Sequence, residues 1–220
     1  MNQRTHKFDD LCDGGRALGE ALTVWRARED TVVLGIARGG VPAAVQVARM
    51  LALPVDVLVP RRLIASREDG TPTSAAWVAG QRYTDPELES RIADAGLGAR
   101  AGVDDLLLAL DRRNALCRGS RAPLDLAGRT VLLVDNGIHT GSTARVAIRA
   151  LRATGVGRII LAAPAASPLG LATLRDIADQ VVTLTGTEPF GHVGMWYDTL
   201  DVPGYPDIAA ILNEVQSDTM

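Results

Sequence analysis

The residues with the clearest chemical potential in this 220-residue chain lie together at positions 131–143, VLLVDNGIHTGST. The apolar run before Asp135 reads as a buried strand that delivers this acid at its carboxyl end, where open α/β sheets bind their ligands. Gly137 and Gly141 permit a tight turn whose N–H groups point inward. Thr140, Ser142 and Thr143 add hydroxyls at the start of a following helix. Unpaired N–H groups, a favourable helix dipole and the lack of bulky side chains make a phosphate cradle. A carboxylate just before that cradle could hold the hydroxyls of a sugar whose phosphate sits in the loop. A plain strand–turn–helix with a capping hydroxyl is the competing explanation, and the acid together with the glycine-rich turn favours binding. The loop is not a Walker A motif, which needs a lysine, and no G-x-G-x-x-G follows a strand.

The elements around this stretch alternate. Residues 31–36, 55–59, 129–135, 158–163 and 180–184 are strand-like apolar runs, and helical patterns fall at 41–51, 143–153 and 169–178. Continuous apolar strands alternating with helices predict an α/β fold: a parallel sheet of about five strands with helices on both faces. Two stretches break the rhythm. Residues 63–84 are polar and contain Gly and Pro, the composition of a long loop or lid, and residues 85–119 form a charged helical segment broken near 96–98. The tail carries Phe190, Trp196, Tyr197 and Tyr205, a cluster of the kind that seals a core.

Composition sets the bounds. Apolar residues are 47% and charged residues 22%, with 22 Gly and 11 Pro, which excludes a disordered or collagen-like chain. The length fits one domain over residues 1–220. No apolar run reaches the roughly 20 residues of a membrane span, and the polar start lacks a signal-peptide core, so a cytoplasmic location is expected. Two cysteines are too few for a disulfide framework. A net charge of −3 argues against a nucleic-acid-coating domain. Every basic residue except Lys7 is Arg, so any bound anion is held by Arg, N–H groups or hydroxyls.

The stretch at 131–143 resembles the phosphoribosyl-pyrophosphate (PRPP) motif of type I phosphoribosyltransferases. The resemblance continues through residues 36–42 (IARGGVP), similar to their pyrophosphate loop. Residues 57–62 (VLVPRR) look like their second strand, and residues 189–197 (PFGHVGMWY) are similar to a bacterial group whose acceptor is unassigned. The likeness implies that Asp135 contacts the ribose hydroxyls and that Gly137, Ile138, His139, Thr140, Gly141, Ser142 and Thr143 hold the 5′-phosphate. It further implies that Arg38 and Gly39 face pyrophosphate across a cis Ala37–Arg38 peptide, with Arg61 and Arg62 adding charge. Residues 63–84 become a lid, and residues 187–205, with N-terminal contributions, a small hood. Phe190, Val193 and Trp196 are then candidates for the acceptor side and Asp198 for a metal contact. Magnesium, PRPP, a nucleobase-like small acceptor and a homodimer follow as expectations, without a membrane or nucleic-acid partner.

The chain departs from the motif at Asn136, where the family carries its second acid, and at Pro72-Thr73, where the related group carries Pro-Glu. A neutral amide can hydrogen-bond but cannot balance charge, so Asn136 stands beside Asp135, His139 and Arg61 as a catalytic position in question. His139 falls where purine-using members place an aspartate; it either meets the acceptor ring or is a turn histidine facing solvent. Three readings stay open: a phosphoribosyl transferase, a non-catalytic PRPP- or nucleotide-binding regulator, and a phosphosugar or nucleotide hydrolase.

Overall fold

The computed structural model describes residues 7–63, 73–84, 97–186 and 188–217. Strands β1 (Thr31–Ile36) and β5 (Thr130–Val134) are buried at every residue and form the middle of the sheet. Strand β2 (Val55–Leu63) pairs parallel with β1, while β6 (Arg158–Ala165) and β7 (Gln180–Thr185) continue parallel beyond β5. These are the five parallel strands expected from the apolar runs.

Among the described residues the sheet has seven strands, two more than the five expected. Strands β3 (Thr73–Val78) and β4 (Gln81–Thr84) extend it antiparallel from β2, giving the order β4-β3-β2-β1-β5-β6-β7. The expected lid at 63–84 is therefore corrected: residues 73–84 are sheet, and residues 64–72 lie outside the described residues. Ala79 and Gly80, at φ 49° and 73°, make the two-residue mirror-image turn that suits the strand twist of a hairpin.

Successive strand residues point to opposite faces, and two cores result. Val33, Val57, Leu132 and Val134 face α1 (Leu11–Ala21), α2 (Gly40–Leu51), α3 (Leu97–Arg118) and α6 (Tyr205–Ser217). Val32, Leu34, Leu58, Val131 and Leu133 face α4 (Ser142–Ala153) and the segment after the short α5 (Pro168–Ala172), which is less helical than the pattern at 169–178 predicted. The α3 helix anchors the hairpin: Asp111 accepts a hydrogen bond from Trp77 Nε1 at 2.7 Å and pairs with Arg82 at 3.1 Å.

A third, small core joins the N-terminal segment to the tail. Phe8, Leu11, Ala165, Phe190, Trp196 and Tyr197 are buried together. Phe8 N–H donates to Trp196 O at 2.9 Å, and Asp198 N–H donates to Phe8 O at 2.8 Å. This hood rests on the carboxyl ends of β5 and β6. Among the described residues, no helix is long and apolar enough to cross a membrane.

Candidate functional site

A cavity of about 440 Å³ opens at the carboxyl ends of β1 and β5. Its walls are the loop after β1 (Ala37, Arg38, Gly39), the whole run from Asp135 to Ala144, and Val193 of the hood. Thus Asp135, Asn136, Gly137, Ile138, His139, Thr140, Gly141, Ser142, Thr143, Arg38, Gly39 and Val193 come together as one surface.

The loop after β5 is fixed from behind. Ile138 N–H donates to Ala165 O at 2.9 Å, and Ser167 N–H donates to Ile138 O at 2.8 Å. The Ser167 hydroxyl donates to His139 O, and Thr173 Oγ1 lies 3.4 Å from Thr140 O. In a trans peptide the C=O and the next N–H point in opposite directions. With the carbonyls of residues 138–140 turned to β6 and α5, the N–H groups of His139, Thr140 and Gly141 turn to the cavity. Gly141, at φ 73°, is the N-cap of α4 and has no side chain to occupy the helix end. The favourable end of the α4 dipole is left for an anion.

Gly141 is needed twice over, because a Cβ there would also lie 2.5 Å from Thr173 Oγ1. Gly141→Ala is expected to cost about 1–2 kcal/mol, a Tm loss of roughly 2–8 °C by thermal denaturation.

The opposing loop has the expected cis peptide between Ala37 and Arg38. Arg38 O accepts from Val41 N–H at 3.2 Å, which turns Gly39 N–H the other way, towards the cavity. The two loops touch: a Cβ on Gly39 would lie 2.7 Å from Asn136 Nδ2, and one on Gly40 2.5 Å from Val134 O. Asn136 therefore sits at the junction of the two N–H-lined loops.

Asp135 is 8% exposed, and its Oδ1 accepts from Asn136 N–H at 2.8 Å. Burial pushes its carboxyl up to about 7, against a partial lowering by that hydrogen bond. Tyr197 closes the site from the hood by donating its hydroxyl to Asn136 O at 2.5 Å. Burial, and then the nearby Asp135, hold the Tyr197 phenol well above its ordinary range. Neither Tyr197 nor Ser167 was legible as a site residue, because each acts on the motif's backbone from distant sequence.

Other candidate residues lie away from this cavity. Phe190 and Trp196 are 2% and 4% exposed and do not line the cavity; they stack at 5.2 Å inside the hood, where Trp196 Nε1 donates to Phe190 O. Phe190 supports His139 instead, with ring centroids 5.9 Å apart and 21° between planes. Asp198 is exposed on the hood 4.0 Å from Lys7 Nζ and is not brought to the cavity as a metal contact. Arg61 is half-buried on β2 and also lies off the cavity wall, its buried Nε without a hydrogen-bond partner among the described residues. The backbone of Arg62 pairs with Ser74, while its side chain is outside the described residues.

The family model described as "Phosphoribosyl transferase domain" matches residues 19–199. Proteins of Mycobacterium tuberculosis strains H37Rv and CDC 1551, provisionally named phosphoribosyl transferases, are each 33% identical over 211 residues. The match covers 96% of this chain and 47% of each relative, so the chain spans about half the length of the curated relatives it matches. The crystal structure of TT1426 from Thermus thermophilus superimposes with a TM-score of 0.78 at 30% identity, over 94% of this chain and 98% of that one. A cavity of two N–H-lined loops flanking a buried acid, on this sheet order, thus coincides with the family match, and the chain belongs to the phosphoribosyl transferase domain family.

Proposed function

We propose that the chain transfers the 5-phosphoribosyl group of PRPP to a small, nucleobase-like acceptor and releases pyrophosphate. One observation carries the reading: a single cavity joins two N–H-lined loops across a buried carboxylate. The 5′-phosphate fits the turn at 137–143, the ribose hydroxyls fit Asp135, and pyrophosphate fits the loop at 37–39. Displacing pyrophosphate at C1 creates positive charge on the sugar and negative charge on the leaving group. The protein's part is to orient the reactants, stabilise the departing anion with fixed N–H donors and keep water out.

Among the described residues no group of three His, Cys, Asp or Glu could cage a metal. The donor set suits magnesium that arrives on the substrate phosphates, since Mg²⁺ keeps several waters and takes one or two protein carboxylates. Asp135 is the residue that would hold it, and the ion would neutralise charge on the leaving pyrophosphate. His139, held over Phe190, and Val193 bound the side left for the acceptor.

The test is calorimetric titration of PRPP with and without Mg²⁺, followed by a screen of acceptors for pyrophosphate release. Micromolar binding with release on one acceptor class supports the transferase. An absence of binding at millimolar PRPP overturns it. Asn136 favours one second reading, a protein that binds PRPP or a nucleotide without turnover; binding with no release on any acceptor is its expected result.

A further inference from the structure

We propose that Tyr205 is a positioning residue that holds the Arg38 side chain, and with it the pyrophosphate loop, through a cation–π contact on a ring that Arg113 also meets. This rests on the reading of the loop at 37–39 as the pyrophosphate site. Tyr205 opens α6, and the Gly204 N–H just before it donates to Asp207 Oδ2 at 2.9 Å. Its ring is half-buried against the core of the α2, α3 and α6 face, so it does not swing freely. The Arg38 guanidinium lies 5.5 Å from the ring centroid and the Arg113 guanidinium, from α3, lies 5.3 Å from it. Both distances are within the reach of an attractive cation–ring contact. Among the described residues neither arginine has an ion-pair partner.

The consequence is directional. Arg38 is exposed at the cavity wall, and an unrestrained arginine there samples many rotamers. Stacking on a ring fixed in the core orders the side chain before an anion arrives, so less ordering remains to oppose binding. Arg113 adds a second positive charge at the same ring. Pyrophosphate should feel this device strongly. Ribose 5-phosphate, held by the other loop, should not.

The test uses the full chain and two probes, magnesium pyrophosphate and ribose 5-phosphate, each titrated calorimetrically. Tyr205→Leu keeps an apolar side chain against the core and removes the π face. It should weaken pyrophosphate about fivefold and leave ribose 5-phosphate within about twofold. Tyr205→Phe should match the wild type for both probes, and Arg113→Met should shift pyrophosphate alone, by a smaller factor. Wild-type pyrophosphate affinity in Tyr205→Leu overturns the inference and leaves the site reading intact. Equal weakening of both probes also overturns it, because it marks a structural role only, and so does a Phe variant as weak as Leu. A wild type that binds neither probe overturns the reading of the site and the inference with it.

Discussion

Replacing Asp135 with asparagine is expected to weaken PRPP binding by at least about a hundredfold while making the ligand-free protein more stable above neutral pH. Both effects come from one buried group. Asp135 is the carboxylate of the cavity wall and, among the described residues, has the Asn136 N–H as its one hydrogen-bond partner. A ribose diol would give it two further donors, and hydrogen bonds to a charged group are worth about 1.5–3 kcal/mol each. Its stability cost has the opposite sign. Burial raises the folded carboxyl from 3.8 to about 7, so between those values the folded state keeps a proton that the unfolded state has lost. Stability then falls as pH rises through that window, and the full penalty, at most about 4 kcal/mol, is present above it. The asparagine variant lacks this slope. Thermal melts of the two proteins between pH 4 and 8 should diverge as pH rises, with the variant higher at pH 8. Parallel melts would mean that Asp135 is solvated and would remove the basis for its role. In the wild type, PRPP affinity should fall as pH drops below about 7, when the carboxylate is protonated.

What could be read from the sequence follows how local each signal is. Asp135 and the turn from Gly137 to Thr143 were legible because strand, acid and glycine turn are contiguous and the chemistry is largely in the backbone. The loop at 37–39 was legible for the same reason. Strands β3 and β4 were not: residues such as Ser74, Ala75 and Ala76 carry little β-branched or alternating apolar signal, and their hairpin turn is Ala79-Gly80 rather than Asn-Gly. In the hood, sequence proximity misled. Val193 reaches the cavity against Gly137, whereas Phe190 and Trp196, three residues to either side, turn into the hood core. The 3₁₀ turn at Val193–Trp196 sets those directions and leaves Asp198 outside. Tyr205 looked like another member of the aromatic cluster, yet it starts α6 and meets two arginines, 92 and 167 residues away in sequence. No spacing rule reports a contact of that kind.

Asn136→Asp is expected to raise PRPP turnover by about a hundredfold, with the gain growing as pH rises. The substitution is nearly isosteric, so the contact between residue 136 and Gly39 survives. Position 136 stands between the loop read as the pyrophosphate site and the turn read as the 5′-phosphate site, beside the place where C1 must lie. An anion there would balance the positive charge that develops on the sugar as pyrophosphate leaves. A contact of that type in a water-poor site is worth about 2–4 kcal/mol of barrier. The pH dependence follows from the neighbour. Asp135 already titrates near 7 without an adjacent anion, and a second carboxylate raises the pair's upper apparent pKa further. Both groups are ionised only on the alkaline side, so the variant's rate should climb through and above pH 7 and its stability should fall over the same range. Pyrophosphate release, measured with water alone and with the acceptor panel, reads the first effect, and thermal melts read the second. Faster release with a steeper alkaline rise would mean that Asn136 limits an otherwise competent transferase. Unchanged release across that range, with the stability loss present, would show that the carboxylate ionises yet has no positive charge to balance, the behaviour of a site that binds PRPP without breaking it.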